Sequence, residues 1–149
     1  MSELFRWPLR VYYEDTDTGG VVFYANYLKF FERARTEWLR SAGIGQQLMT
    51  EQENVMFVVK STAIDYHAPA KLDDRLEVSV KVEKLGRASV NFAQEAWRLG
   101  GATPELLCSG RIRVGCVDTR SLRPSAIPDS VLDKIKIVHA AGPDARTIR

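Results

Sequence analysis

The chain has 149 residues, 45% apolar and 27% charged, a composition typical of one ordinary globular domain with its own core. Its 21 Lys and Arg residues against 19 Asp and Glu residues give a net charge of +2 without a dense basic patch, which disfavours a nucleic-acid-binding protein. The sequence lacks both the run of about 18 apolar residues that a membrane span needs and the apolar segment of a secretory signal, so it predicts a cytoplasmic protein.

The first predicted strand covers residues 7–14, where aromatic and β-branched residues are frequent. The polar run 15–20 interrupts it and predicts a turn. Residues 26–42 carry apolar side chains at helical spacing and predict the one long helix of the chain. Asn26 is predicted as the N-cap of this helix, and Gly43 as the left-handed residue that ends it.

Four further strands are predicted after the helix, over residues 55–66, 76–83, 89–99 and 105–117. Short connections between them favour antiparallel pairing. The fold class is therefore α+β, with a five-stranded antiparallel sheet on which the long helix packs.

Residues 1–138 are predicted to form a single domain. Residues 139–149 contain Gly142-Pro143 and lose apolar periodicity, which predicts a flexible C-terminal tail without a function of its own. Cys108 and Cys116 lie in the last predicted strand, too far apart to bond, and are interpreted as small buried side chains. No residue pattern predicts a metal site.

The turn before the predicted helix is a place where chemistry can occur. A helix start presents unpaired N–H groups and a partial positive charge, which stabilise an oxyanion that develops on a carbonyl group. Asp17 lies in this turn, and the following Gly19-Gly20 lets the backbone approach a ligand, as a nucleophile or general base would require. From the spacing alone, turn hydrogen bonds made by Asp15 and Asp17 are the favoured alternative.

The segment 10–27, Arg-Val-Tyr-Tyr-Glu-Asp-Thr-Asp-Thr-Gly-Gly-Val-Val-Phe-Tyr-Ala-Asn-Tyr, resembles the signature of the hotdog-fold acyl-CoA thioesterases of the 4-hydroxybenzoyl-CoA thioesterase family. The similarity continues through residues 31–40, 66–74 and 117–118. Together with Phe-Arg-Trp-Pro at residues 5–8, it is closest to the branch associated with the Tol-Pal cell-envelope system. The resemblance implies a hotdog fold, in which the sheet wraps around one long central helix.

The resemblance also implies roles for individual residues. Asp17 matches the catalytic carboxylate, and whether it is the nucleophile or the general base for water stays open. The backbone N–H of Tyr24 matches the group that binds the thioester oxygen, while Gly20, Val21 and Asn26 are implied to lie against the substrate. Many members of the Tol-Pal-associated branch carry histidine at the position of Tyr24, so a side-chain proton transfer there and the substrate preference stay open.

The predicted turn at residues 84–89 resembles the corner that contacts the phosphates of coenzyme A in this family. Arg87 and Ser89 are therefore candidates for binding coenzyme A. For Arg87, a solvated turn residue is an equally weighted alternative.

The predicted function is hydrolysis of an acyl-CoA thioester to a free acid and coenzyme A, without a metal or redox cofactor. Non-catalytic binding of acyl-CoA or of an acyl carrier protein is the alternative, and a hydratase or dehydratase ranks last because no histidine precedes residue 67. An exposed sheet edge, together with the resemblance, predicts a homodimer or homotetramer with the active site at the dimer interface. The acyl group and the thiol carrier are left open.

Overall fold

The computed structural model describes the backbone of residues 4–145 and the side chains of residues 4–139. It contains the strands β1 (Phe5–Arg10), β2 (Val55–Tyr66), β3 (Arg75–Leu85), β4 (Ser89–Arg98) and β5 (Glu105–Asp118), and the helices α1 (Asn26–Ser41), α2 (Gln46–Glu53) and α3 (Asp129–Ala145). The strands form one sheet in the order β1-β3-β4-β5-β2, and every neighbouring pair is antiparallel. The predicted fold class is confirmed.

The core lies between α1 and the inner face of the sheet. The helix buries an apolar stripe that includes Phe30, Phe31, Ala34 and Trp38. A Cβ atom at Gly110 of β5 would lie 2.9 Å from the ring of Phe31, so this glycine lets α1 approach the sheet closely. The helix ends as predicted, because Gly43 follows it with φ of 84°.

The two edges of the sheet differ in length. β1 has six residues, whereas β2 has twelve and pairs only with β5 among the described residues. The pairing of β2 with β5 shifts register between Val59 and Ser61, at the middle of the strand. A long edge strand with unpaired backbone groups is a template for association with another chain.

The structure differs from the predicted elements at three places. The first strand ends at Arg10, because Val11 leaves the sheet and exchanges hydrogen bonds with the loop at residues 73–74. Helix α2 was not predicted, since Met49 is its one buried residue and no apolar stripe marks it.

Helix α3 was not predicted either, although Val131, Ile135 and Val138 are buried at helical spacing. Its backbone continues to Ala145, past the predicted tail boundary at residue 139, and residues 146–149 of that tail lie outside the described residues. Within the described part of the chain, no helix is long and apolar enough to cross a membrane.

Candidate functional site

Asp17 lies at the tip of a tight turn, residues 15–23, which we call the Asp17 turn. Thr16 and Val22 form a bridge at its base. The N–H of Asp17 donates to the carbonyl of Val21 over 2.9 Å, and the N–H of Gly20 donates to the carbonyl of Asp17 over 3.0 Å. Gly20 has φ of 80°, a left-handed conformation that glycine adopts without strain. Three of the predicted site residues, Asp17, Gly20 and Val21, are therefore joined by backbone hydrogen bonds.

The carboxylate of Asp17 is exposed and only partly engaged. Its Oδ1 accepts a hydrogen bond from the N–H of Gly19 over 2.8 Å. Its Oδ2 accepts none from the described residues. One oxygen thus fixes the orientation of the carboxylate, while the other is free to meet a carbonyl carbon or a water molecule.

Asp15 and Asn26 connect the Asp17 turn to α1. Asp15 is buried, and its Oδ2 accepts a hydrogen bond from the N–H of Tyr12 over 2.8 Å, which confirms a structural role. Its carbonyl accepts from the N–H of Phe23 over 3.1 Å and from Nδ2 of Asn26 over 2.8 Å. The predicted N-cap was wrong. Asn26 is the first residue of α1, and its side chain reaches back to the turn; Ala25 occupies the N-cap position without a side-chain hydrogen bond.

The start of α1 offers free hydrogen-bond donors. The first helical bonds run from the N–H of Asn26 to the carbonyl of Phe23 and from the N–H of Leu28 to the carbonyl of Ala25. The N–H groups of Tyr24 and Ala25 find no hydrogen-bond acceptor among the described residues. Together with the positive end of the helix dipole, these groups can stabilise a negative oxygen.

Tyr66, at the end of β2, lies against the start of α1, a contact that the sequence did not predict. Its hydroxyl donates to the carbonyl of Tyr24 over 3.1 Å, and its ring lies 6.0 Å from that of Tyr24 and 5.7 Å from that of Tyr27. Burial raises the pKa of Tyr66, which keeps the hydroxyl protonated as a donor. A shallow pocket of about 270 Å³ is lined by Val22, Tyr24, Tyr27, Tyr66, His67, Ala68 and Pro69.

The loop after β2, residues 67–74, forms one wall of this pocket and is held at several points. Nη1 of Arg98 donates to the carbonyl of Pro69 over 3.0 Å and to Oδ2 of Asp74 over 2.9 Å. The hydroxyl of Tyr27 accepts from the N–H of Ala70 over 3.0 Å. The carbonyl of Ala70 accepts from Val22, so the same loop also supports the Asp17 turn.

Arg87 lies in the turn between β3 and β4, which the sequence predicted, and Ser89 is the first residue of β4. The N–H of Gly86 donates to the carbonyl of Ser89 over 2.8 Å. A Cβ atom at Gly86 would lie 3.0 Å from Oγ of Ser89, so the turn has little room for a side chain there. Arg87 is exposed, and its carbonyl accepts from the N–H of Ile127 over 2.7 Å.

The structure does not bring these two residues to Asp17 within one chain. On β5, Cys108 pairs with Tyr66 beside the Asp17 turn, whereas Gly115 pairs with Ser89. Seven residues of strand correspond to about 23 Å. The predicted site residues therefore fall into two groups at opposite ends of the sheet.

A cavity of about 140 Å³ lies under the C-terminal half of α1, on the inner face of the sheet, and sequence reasoning missed it. We call it the α1 cavity. Its apolar lining consists of Leu39, Phe57, Val59, Val90, Phe92, Val114 and Ile135, and its polar lining of Glu32, Arg35, Thr36 and Gln46. It draws residues from α1, α2, α3 and three strands, a combination that no local pattern reveals.

Arg35 is held at the polar side of the α1 cavity. Its Nη1 donates to Oε1 of the buried Gln94 over 2.9 Å, and Nε2 of Gln94 donates in turn to the carbonyl of Phe31 over 3.1 Å. Burial lowers the pKa of Arg35, while the carboxylate of Glu32 opposes that shift. The polar side thus carries two opposite charges.

Comparison with known proteins gives three kinds of match. The family model of the thioesterase superfamily matches residues 19–105. The chain is 45% identical over 135 residues to the acyl-CoA thioester hydrolase YbgC of Escherichia coli O157:H7, covering 91% of this chain and 98% of that protein. It is 46% identical over 127 residues to the acyl-CoA thioesterase YbgC of Haemophilus influenzae, covering 85% and 90%.

Solved structures match over most of their length. A probable thioesterase from Bartonella henselae is 32% identical, with a TM-score of 0.72 over 84% of this chain and 99% of that chain. A DHNA-CoA thioesterase from Staphylococcus aureus has a TM-score of 0.85 at 20% identity, over 97% and 96%, and shows likeness of fold alone. The sheet that wraps around α1 is therefore the hotdog fold, as the sequence resemblance implied.

Proposed function

The chain belongs to the thioesterase superfamily, and we propose that it hydrolyses an acyl-CoA thioester to a free acid and coenzyme A. The observation that carries this proposal is the placement of Asp17. Its carboxylate has one anchored and one free oxygen, and a hydrogen-bonded turn ties it to a helix start with two free N–H groups. Acyl transfer to water requires a carboxylate and donors for an oxyanion, and this one hydrogen-bonded segment carries both.

Asp17 has two routes to the products. As a general base, it takes a proton from water while the oxygen bonds the carbonyl carbon; the C–S bond then breaks and the thiolate takes up the proton. As a nucleophile, its free oxygen bonds the carbonyl carbon and expels the thiolate. Water then hydrolyses the resulting mixed anhydride, which releases the acid, restores the Asp17 carboxylate and supplies the proton that the thiolate takes up. In both routes the backbone N–H of Tyr24 stabilises the negative carbonyl oxygen.

The remaining residues at this end support the geometry. Gly20 and Val21 close the turn through hydrogen bonds to the backbone of Asp17. Their proposed role is to lie against the substrate next to the carboxylate. Asn26 acts through its hydrogen bond to Asp15, so its role in this proposal is to position the turn rather than to touch the substrate. Tyr66 fixes the carbonyl of Tyr24, two residues before α1 begins.

The active site is proposed to be shared by two copies that pair along the free edges of β2. A two-fold antiparallel pairing centred on the register shift sets Val59 opposite the partner's Thr62, and Phe57 opposite the partner's Ile64. Both pairs join side chains on the inner face, which keeps the apolar faces of the two sheets on one side. Val59 is 51% exposed in the single chain, and this pairing covers it.

The same pairing brings the two groups of predicted site residues together. Val55 at the start of β2 then stands opposite the partner's Tyr66, which lies beside the partner's Asp17 turn. Val58 pairs with Gly115, and Gly115 pairs with Ser89. Ser89 therefore lies two strand spacings, or about 10 Å, from Val58. Arg87 and Ser89 would therefore bind the phosphates of a coenzyme A molecule whose thioester lies at the partner's Asp17.

A tetramer built from such dimers extends the same proposal. An acyl carrier protein in place of coenzyme A, a cytoplasmic location and an association with the Tol-Pal system stay predictions from the sequence.

The test is thiol release from acetyl, long-chain and 4-hydroxybenzoyl thioesters of coenzyme A. We expect Asp17→Asn to bind substrate but to lower kcat by about 10³-fold, since the amide is neither base nor nucleophile. Asp73→Asn is the matched control: Asp73 is exposed with φ of 72°, a conformation that asparagine also adopts. Both cysteines are buried, and burial raises the pKa of Cys108 to about 12, so a thiol reagent reports released coenzyme A.

Two results would contradict the proposal. Full activity in Asp17→Asn would show that the carboxylate is not the catalytic group. Tight binding of acyl-CoA by the native protein without any turnover would favour the alternative, a non-catalytic acyl-CoA or carrier-protein binding module.

A further inference from the structure

We propose that Tyr66 is a positioning residue for the reaction: its hydroxyl fixes and polarises the peptide group that joins Tyr24 to Ala25, so that the N–H of Ala25 becomes a second donor to the thioester carbonyl oxygen. This inference rests on the proposed function, in which the N–H of Tyr24 is the first donor. It adds one backbone donor and one side chain to that site.

The hydrogen bond made by Tyr66 joins two distant parts of the chain. The hydroxyl of Tyr66, at the end of β2, donates to the carbonyl of Tyr24 over 3.1 Å. The N–H of Tyr27 also donates to this carbonyl, over a longer 3.4 Å. The bond from Tyr66 is therefore the shorter of these two bonds, and it comes from outside the helix.

The peptide group between Tyr24 and Ala25 carries both the carbonyl that Tyr66 binds and the N–H of Ala25. Because a peptide group is planar, the direction of its carbonyl fixes the direction of its N–H. Ala25 has φ of −70° and ψ of −19°, right-handed helical values, so the alignment of N–H groups at the start of α1 begins with this residue. The N–H of Ala25 has no acceptor among the described residues and is free to bind a substrate oxygen.

A hydrogen bond to the carbonyl also makes the N–H of the same peptide group a better donor. Hydrogen bonds in a chain polarise one another, because electron density drawn toward the carbonyl oxygen leaves the amide nitrogen more positive. The Tyr66 hydroxyl, the Tyr24–Ala25 peptide group and the thioester oxygen would form such a chain. Neighbouring N–H groups at a helix start can bind the same negative oxygen, so those of Tyr24 and Ala25 would share it.

The surroundings of Tyr66 hold its hydroxyl in place. Tyr66 pairs with Cys108 of β5, so its backbone belongs to the sheet. Its ring meets that of Tyr24 edge-on at 6.0 Å and lies 5.7 Å from that of Tyr27. The hydroxyl of Tyr27 is held in turn by the N–H of Ala70. A side chain that a strand and packed neighbours hold can orient a reactive group precisely.

The exposure of Tyr66 separates a role in the reaction from a role in the fold. Tyr66 is 47% exposed, so its hydroxyl would bind water if the bond to Tyr24 were absent. The exchange of one such bond for another changes the stability of a protein little. Loss of the hydroxyl should therefore affect the reaction more than the fold.

Tyr66→Phe tests the inference, because it removes the hydroxyl and keeps the ring with its contacts. We expect kcat for an acyl-CoA to fall about fivefold to tenfold and KM to change less than about twofold, since the substrate oxygen becomes a strong acceptor only in the transition state. Tyr13→Phe is the matched control: Tyr13 is 81% exposed and lies outside the lining of the pocket beside Tyr24, so both constants should stay native.

A spectroscopic measurement reports the bond itself. The ¹⁵N resonance of the Ala25 amide depends on the hydrogen bond to the carbonyl of the same peptide group. It should therefore move upfield in Tyr66→Phe and stay in place in Tyr13→Phe. An unchanged Ala25 resonance in Tyr66→Phe would contradict the polarised peptide group.

Ala25→Pro removes the second donor directly. Proline has φ of about −65°, close to the −70° of Ala25, and the lost N–H has no acceptor among the described residues. We expect kcat to fall about 100-fold. Tyr66→Phe added to Ala25→Pro should then cost nothing further, because the N–H through which Tyr66 acts is absent. Losses that multiply in the double variant would overturn the inference.

The outcomes separate this inference from the proposed function. If Asp17→Asn is inactive but Tyr66→Phe keeps the native kcat, the inference is wrong and hydrolysis by Asp17 stands. A loss of about 1,000-fold in Tyr66→Phe would also overturn it, because Tyr66 would then be a catalytic residue. If Ala25→Pro does not fold, kcat and the Ala25 resonance in Tyr66→Phe decide alone. Full activity in Asp17→Asn overturns the proposed function instead.

Discussion

The two ends of the sheet are built in different ways. At the end that carries the Asp17 turn, backbone and side-chain hydrogen bonds hold polar groups in place, and the pocket beside Tyr24 is shallow. At the other end, apolar side chains enclose the α1 cavity, and the nearby turn exposes Arg87. The first end therefore presents hydrogen-bonded polar groups, and the other presents an enclosed apolar space and an exposed cation.

This division explains why neither end is a complete site. An acyl-CoA needs an attacking group, donors for its carbonyl oxygen, an apolar space for its chain and a cation for its phosphates. We propose that Asp17 and the N–H of Tyr24 meet the first two requirements, whereas the α1 cavity and Arg87 lie toward the other end of the sheet, about 23 Å away along β5. The proposed pairing of two copies on β2 would join the opposite ends of the two chains and so complete the site.

The pairing of two copies is broken most directly at the middle of β2. In the proposed register, Lys60 of one copy stands opposite the partner's Ser61. Ser61→Lys therefore places a lysine opposite the partner's Lys60 at two symmetry-related positions, and next to Arg113 within each chain. Because like charges repel, the affinity of the dimer should fall about tenfold. The hydrolytic activity at nanomolar protein concentration should fall together with the dimer affinity.

Ser61→Glu is the matched control, because the same position then attracts Lys60 and should keep the dimer. Sedimentation equilibrium and activity against protein concentration measure both variants. A dimer that is equally stable in Ser61→Lys and Ser61→Glu would show that β2 is not the interface.

Asn26→Ala tests the end of the sheet that carries the Asp17 turn. The substitution removes the hydrogen bond from the Asn26 side chain to the carbonyl of Asp15. The Asp17 turn is then less well positioned, and kcat should fall about fivefold with KM little changed. Unfolding should cost about 1 kcal/mol less. Asn91→Ala on β4 serves as the control. A native kcat in Asn26→Ala together with lowered stability would contradict this prediction and show that Asn26 has a purely structural role.

The opposite end is tested by Arg87→Ala. Loss of one exposed cation should raise KM for acyl-CoA about threefold and leave kcat unchanged. The same acyl group on N-acetylcysteamine, which has no phosphates, should show no difference between native and variant protein. Arg113→Ala is the control for the loss of one positive charge. An equal effect of Arg87→Ala on the coenzyme A and the N-acetylcysteamine thioesters would contradict phosphate binding by Arg87.

Much of the fold could be predicted because it follows from local periodicity. The bounds of β2 were predicted at 55–66, and the apolar stripe of α1 and Gly43 marked the helix and its end. Helix α2 was not predicted because it has no apolar stripe. Helix α3 was not predicted because Gly142-Pro143 favoured the interpretation of this segment as a tail.

The site was predictable only in part. The pattern around Asp17 and Tyr24 predicted a reactive end through resemblance, and the catalytic roles of these residues stay predictions. The contact between Tyr66 and Tyr24 joins residues 42 positions apart, and the α1 cavity combines six elements, so no local pattern reports either. Asn26 was assigned to the helix cap because its residue type favours that position, whereas the carbonyl of Asp15 proved to be its partner.

The most direct test of a site shared between two copies is a mixed dimer of Asp17→Asn and Arg87→Ala chains. The two chains are co-expressed with different tags, isolated as the mixed dimer and assayed with an acyl-CoA substrate well below KM. One of its two sites then combines an intact Asp17 turn with an intact Arg87, so we expect about half of the native activity, above the roughly one third expected of Arg87→Ala alone. If Asp17 and Arg87 of one chain served the same site, the mixed dimer would keep only about one sixth of the native activity.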